Sequence, residues 1–453
     1  MNLLRRWWWP LFAFLYPLVV WPFGASHAGV VLAKHYFIFL FLLGGLFLEL
    51  TAHPQVHFAH LRHLPRFLRS HPPLLLALFL ALWMGLATVL SPEPQVALTG
   101  SVVDYSDGLV WGLLMVGVFV LGYVRSLFDP ELGQKVALGV LGGAGVLALG
   151  ALAEVALHRG LYYPADPGNL PMVTFPGRGH LAGYFALGFG VAAGFFAQRG
   201  SIASGALLLL MAVALGLTFN RAGILALLGV GLAAVLWRQQ AGVWVLVLGL
   251  LGVGLGWGTV RLLNPQGERA ELASGHTLLT RLYYWKAALG GIAARPLFGW
   301  GGGVFEHRWP RYLSKASLES FIREEFGYSG ARLEKVGNVP YGDPVFILKR
   351  PDGNLVALRV YSFRAHNQFL EVGLKWGLVG VALYCLLLFL LLPGVPLLSP
   401  GALGLLGLHL FLLLWFAIPE GEGAIWALWG ASAVGCKGKR KGSGPLPFSL
   451  PCS

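Results

Sequence analysis

His366 stands in the stretch YSFRAHNQFLEVGLKWGLVG, residues 361–380, with Arg364 before it and Asn367 and Glu371 after it. An imidazole titrates close to neutrality, so at the mouth of an apolar helix it suits a general base that takes a proton from a hydroxyl or amine acceptor. An interfacial hydrogen-bonder would occupy the same place. Asn367 fits the N-cap of the helix that follows.

Two arginines offer the complementary chemistry. In GLTFNRAG, residues 216–223, Arg221 lies between two apolar runs with almost no loop around it. A snorkelling side chain explains such a residue, and so does a cation set out to meet an anion. In TLLTRLYYWKAALGGIAARPLFGWGGGVF, residues 277–305, Arg281 falls on a short helix whose Leu282, Trp285, Ala288, Leu289 and Ile292 follow helical spacing. It belongs either to a solvated face or to a binding site. The planar guanidinium fork donates two parallel hydrogen bonds and keeps its proton when partly desolvated, so two arginines converging on one vestibule would make a diphosphate site. The GWGGG turn at 299–303 lacks the strand and lysine of a phosphate loop and reads as a turn that lets neighbouring elements approach closely.

The elements that must position these groups are membrane helices. Of 453 residues, 56% are hydrophobic and only 12% charged, and mean hydropathy is +0.68. Too little charge remains to disperse a soluble chain of this length, so the composition is that of an integral membrane protein. Apolar runs fall at 7–24, 31–50, 73–90, 108–124, 136–157, 181–197, 205–220, 222–237, 242–260, 371–392, 401–418 and 424–436. Their periodicity is helical, without the alternation of a membrane barrel. The sequence therefore predicts an all-α polytopic protein of about twelve transmembrane helices.

An even count puts both termini on one side. Arg5, Arg6, Arg62, Arg66, Arg69, Arg125, Lys135, Arg199, Arg238, Lys437, Lys439, Arg440 and Lys441 share that side, which the positive-inside rule makes cytoplasmic. The net charge of +13 is largely spent on these orientation signals, and no RNA- or DNA-binding motif interrupts the helices, so no nucleic-acid partner is expected. Arg5, Arg6 and the small residues of ASHAG imitate a secretory signal. Pro10, Pro17, Pro22 and the return of an apolar run at Val30 favour an uncleaved first helix instead. Cys385, in a helix, and Cys436 and Cys452, in the tail, offer no disulfide framework to the outer loops.

Polar residues concentrate in the outer segments 91–107, 158–180, 218–223 and a long insertion at about 261–370. That insertion is rich in aromatics and contains VFILKRPDGNLVALRVY, a hairpin with its turn at Pro351–Asn354. The division is helices one to nine in 1–260, an extracytoplasmic cap in 261–370 between the ninth and tenth helices, helices ten to twelve in 371–436, and a basic cytoplasmic tail in 437–453.

In this order, TFNRAG, RLYYWKAAL…RPLFGWGGGVF and AHNQFLEVGLKWGLVGVALY resemble the O-antigen ligase and polymerase superfamily of membrane glycosyltransferases. LSPEPQVALTGSVVDYSDGL, 90–109, is similar to that family's first outer loop, and GRGHLAGYFAL, 177–187, to its mid-chain helix mouth. One departure is Asn220, where the family commonly has serine. The resemblance implies a GT-C-like fold in the bacterial inner membrane, working at its outer face without nucleotide sugar, cofactor or metal. Its members pass a glycan from an undecaprenyl-diphosphate carrier to a lipid or glycan acceptor, with membrane lipids around them as further partners. By matching positions, Arg221 and Arg281 would hold the diphosphate and His366 would act as base. Asn367, Arg178 and His180 are secondary candidates, and Glu306 and Glu371 are alternative bases, although a carboxylate beside an arginine more often forms an ion pair.

The acceptor stays open. A ligase uses a lipid core, a polymerase a second lipid-linked glycan, and a protein O-oligosaccharyltransferase a serine or threonine. Ligase-type transfer is preferred. A lipid-linked glycan transporter is the more distant alternative, which the folded cap and the absence of an internal repeat disfavour.

Overall fold

The computed structural model describes residues 2–52, 63–101, 105–164, 170–266, 277–338, 343–360, 364–391 and 398–433. Arg62, Cys436, Cys452 and the basic tail 437–453 lie outside them.

The apolar runs are helical. The bundle contains α1 (Asn2–Leu15), α2 (His27–Ala52), α3 (Leu64–Ser70), α4 (Pro72–Val89), α5 (Pro94–Thr99), α6 (Leu109–Ser126), α7 (Leu132–Leu157), α8 (Arg178–Arg199), α9 (Ile202–Leu217), α10 (Arg221–Trp237) and α11 (Gln239–Leu263). After the cap come α14 (Gln368–Leu391), α15 (Pro400–Leu412) and α16 (Pro419–Ser432). Among the described residues, seven helices are long and apolar enough to cross a membrane, and α9, α10 and α15 are shorter apolar helices. Helix α8 is buried nearly all round and packs mainly on α15 and α9, while leucines of the surrounding helices face outward. That distribution is what a hydrocarbon solvent favours, because apolar side chains need no shelter from it.

Two apolar runs end earlier than the sequence suggests. The first, expected over 7–24, leaves α-geometry at Leu15 for a tight turn at Tyr16–Leu18 that contains Pro17. The run expected at 401–418 stops at Leu412, and residues 413–418 turn across the end of the bundle before Pro419 opens α16.

Arg5 and Arg125 pair with Glu49 at 3.7 and 3.5 Å, and Lys135 pairs with Asp129 at 2.9 Å. Arg5, Arg125 and Lys135, three of the basic residues read as orientation signals, thus lie close together.

The cap comprises α12 (Thr277–Ala294), short turns at Phe305–His307 and Trp309–Tyr312, α13 (Lys315–Phe326) and a three-stranded antiparallel sheet, so the chain is mostly helical rather than wholly so. The hairpin forms as its sequence suggests. Strand β2 (Pro344–Lys349) pairs with β3 (Leu355–Arg359), and the Asp352 carboxylate accepts the Asn354 N–H at 2.9 Å in the turn. Strand β1 (Arg332–Asn338) joins the other edge of β2 with a bulge between Leu333 and Lys335. Its sequence carries no signal because only Leu333 is buried, so no apolar alternation marks it. Phe346 and Leu348 point to the cap core beside Trp309 and Phe321.

The cap is stitched into the membrane helices. Helix α14 breaks at Gly377, with φ 69° and ψ −174°. The freed backbone is taken up by neighbours: Leu378 N–H donates to Pro296 O at 2.7 Å, Trp300 N–H to Leu374 O at 2.7 Å, Gly301 N–H to Lys375 O at 3.0 Å, and the Trp83 indole to Trp376 O at 2.8 Å. A Cβ at Gly377 would lie 2.0 Å from Leu297 O. The GWGGG turn serves close approach, as the sequence suggests: a Cβ at Gly302 would lie 1.7 Å from Asp107 O.

Candidate active site

Arg221 is the first residue of α10 and is exposed. Its setting follows from local chemistry: Asn220 caps the helix, its side-chain oxygen accepting the Gly223 N–H at 3.1 Å, and Phe219 turns the chain at φ 52°. Asparagine fills here the capping role a serine would take.

Arg281 projects from the first half of α12 and lies 5.1 Å above the Trp415 ring. Burial lowers its pKa from the ordinary value, and the like charge of Arg221 lowers it further. The two guanidinium groups therefore act on each other across one space. Among the described residues neither has a carboxylate partner, whereas Arg364 has three.

His366 has a left-handed backbone, φ 48°, just before α14. Its ring stacks on Tyr284 of α12 at 5.3 Å and meets Trp415 and Phe416 edge-on at 4.8 and 5.2 Å. Its Nδ1 is buried without a hydrogen-bond partner among the described residues. Burial draws its pKa down from 6.5 to about 3, helped by the charges of Arg281, His180 and Arg364. The imidazole is neutral at physiological pH and holds a lone pair ready to accept a proton.

The backbone around His366 is held at several points. The Asn367 side-chain oxygen accepts from Phe369 N–H and Leu370 N–H at 3.0 and 3.1 Å, the cap its position in the sequence suggests. Its amide donates to Leu413 O at 2.8 Å, and Gln368 accepts from Ala417 N–H at 2.8 Å. Glu371 accepts the Ala365 N–H.

Of the secondary candidates, His180 in the first turn of α8 joins this pocket, edge-on to Trp415 at 5.7 Å and to Phe416 at 5.4 Å. Arg178 is half-buried at the first position of the same helix. Glu306 and Glu371 are drawn to Arg364 at 3.6 and 3.9 Å, as ion-pair partners.

The structure adds groups that sequence reasoning missed. Trp415 and Phe416 stack at 6.0 Å and 4° in the segment read as helix, and on them converge Arg281, His366, His180 and, 5.5 Å over Phe416, Arg364. Behind them a small pocket is lined by Asp107, Arg364, Gln368, Glu371, Lys375 and Phe416, with Asp107 bonded to both Arg364 and Lys375. Nothing in linear sequence separates Trp415 from its apolar neighbours; the only local signal is Pro419, which disfavours helix at Ile418.

The apolar helices define a multi-pass membrane protein. Residues 206–331 match the family model described as O-antigen ligase. The matched segment contains Arg221 and Arg281 and ends before His366. No curated protein and no solved structure matches the chain.

Proposed function

We propose that the chain is a ligase-type membrane glycosyltransferase of about twelve spans, which moves a glycan from an undecaprenyl-diphosphate carrier to an acceptor hydroxyl at the outer face of the cytoplasmic membrane. The observation that carries this reading is the meeting of Arg221 and Arg281, neither with a carboxylate partner among the described residues, beside a neutral His366. Cations left facing each other favour an anion of two charges, and a diphosphate supplies it.

In this mechanism the two arginines bind the donor's diphosphate and stabilise the charge that grows on it as the glycosyl bond breaks. His366 takes the acceptor's proton as the new bond forms. A base of pKa about 3 is weak in the empty site. The incoming diphosphate offsets the positive field that depresses it, so His366 gains basicity when the donor is in place. Trp415 holds Arg281 and His366 in one register through its ring.

The test is transfer by purified protein in lipid nanodiscs, with a lipid-diphosphate glycan and a panel of acceptors. His366→Ala should lower kcat by about 10²–10⁴-fold with donor binding retained. Arg221→Lys keeps charge but loses the fork, and should weaken transfer sharply while expression is unchanged. Undiminished transfer by His366→Ala would remove the assigned base; unchanged kinetics in Arg221→Lys would leave that residue a snorkelling arginine. The acceptor panel separates ligase from polymerase and from protein glycosylation.

A further inference from the structure

Helix α12 has a second face that the transfer reaction does not use. Leu282 and Leu289 are 49% and 57% exposed, and Leu297 just beyond the helix is 57% exposed. The core-facing residues are instead Ala287, Ala288 and Ile292.

The turn after α12 adjoins two of the apolar helices. Phe298 stacks on Trp83 of α4 at 4.9 Å and 17°, and Leu297 O lies against Gly377 inside α14. The neighbouring outward residues of those membrane helices, Leu82, Leu86, Val89 and Leu378, are exposed apolar side chains too. Water would be an unfavourable neighbour for so many exposed apolar side chains.

Cations border it. Arg295 donates to Leu90 O at the end of α4 at 2.7 Å and stacks on Trp300 at 5.5 Å; Arg308 stacks on the same indole at 5.5 Å. With Arg311, both stand near enough to Tyr312 for their charges to act on its hydroxyl. Glu93 is occupied by Arg308 and His307. Lys286 and Arg311 are exposed. Apolar side chains below a basic rim are the pattern of an element lying in a membrane interface.

We infer that α12 and the Arg295–Phe298 turn are seated in the outer leaflet, with Lys286, Arg295 and Arg311 binding anionic phospholipid headgroups. The cap then rests on the bilayer along one edge, and lipid charge helps fix the depth at which Arg281, on the same helix, is presented. The inference stands apart from the proposed transfer reaction, because its readouts involve neither donor nor acceptor.

The experiment uses full-length protein in nanodiscs of phosphatidylcholine, with or without phosphatidylglycerol. A nitroxide at Leu289→Cys, in a background with Cys385, Cys436 and Cys452 changed to serine, should be relaxed by oxygen and protected from a water-soluble nickel chelate. By native mass spectrometry, wild-type protein should retain phosphatidylglycerol over phosphatidylcholine, with the preference falling about fivefold for each cation neutralised. The variants are Lys286→Gln/Arg311→Gln, which changes only exposed side chains, and the triple variant that adds Arg295→Gln. Nickel access at position 289 would overturn the proposal. Shielding from both reagents would overturn it too, showing a second copy or a protein partner over the leucines. Equal retention of the two lipids by wild type, or an undiminished preference in the double variant, would do the same.

Discussion

His366 is neutral because its surroundings oppose a further positive charge: burial comes first, then Arg281, His180 and Arg364. Its pKa is about 3 in the folded site against 6.5 when free. The unfolded chain therefore binds more protons between those values, and this residue's contribution to stability falls as pH drops from about 6.5 toward 3. For catalysis the same sign keeps the base unprotonated at mildly acid pH. The acid limb of kcat/KM, which reports the free enzyme, should lie below about pH 5 rather than near the ordinary imidazole value. Arg281→Gln removes the largest charge acting on the ring and should move that limb upward, while raising the donor KM by about 10-fold or more through loss of a charge-assisted hydrogen bond. A pH profile that stays in place in Arg281→Gln would show that the two side chains do not communicate.

Helix α14 works through an interruption. At Gly377 the backbone takes a left-handed φ of 69°, and the Pro296–Gly301 segment supplies the hydrogen bonds the helix loses. Gly377→Ala adds strain of about 1–3 kcal/mol for the backbone alone. Its Cβ would also meet Leu297 O at 2.0 Å. We expect a lower Tm and faster hydrogen exchange in residues 295–301; unchanged values would mean that α14 tolerates a side chain at the break. Helix α15 supplies the complementary device by ending at Leu412, which frees Trp415 and Phe416 to turn toward His366. Asn367 and Gln368 hold that segment through Leu413 O and Ala417 N–H. Asn367→Ala removes both the cap and this tie, and should cost about 1–2 kcal/mol in thermal stability while lowering kcat more than it raises KM. A variant with wild-type kinetics would show that the tie does not position the base.

Across the molecule, buried charge joins parts far apart in sequence. Asp107 of the loop before α6, Glu306 after the GWGGG turn, Arg364 at the end of the cap, and Glu371 and Lys375 of α14 form one network. Breaking a buried pair leaves an uncompensated charge, so Asp107→Asn should destabilise by about 3–5 kcal/mol. The loss should be smaller when combined with Arg364→Met than the sum of the two changes, and strict additivity in thermal unfolding would rule out their coupling. Because the network spans loop, cap and helix, proteolysis of the cap should accelerate in Asp107→Asn before the bundle unfolds.

The sequence by itself determined the membrane setting, the approximate helices, the β2–β3 hairpin and the residue types at the pocket. These are local properties: apolar runs set helices, Pro351–Asn354 sets a turn, and arginine and histidine announce their chemistry wherever they stand. Tertiary structure decided what depends on neighbours distant in the chain. It placed Arg281 in the field of Arg221, gave Arg364 its carboxylates while leaving the other two arginines without such partners among the described residues, and turned Trp415 out of an apparent helix to meet Arg281. It also divided the helically spaced residues of α12, burying Ala288 and Ile292 and exposing Leu282 and Leu289. Periodicity finds the apolar stripe of a helix, but water, lipid and protein all accept or refuse that stripe by what surrounds it, and only the folded chain fixes the surroundings.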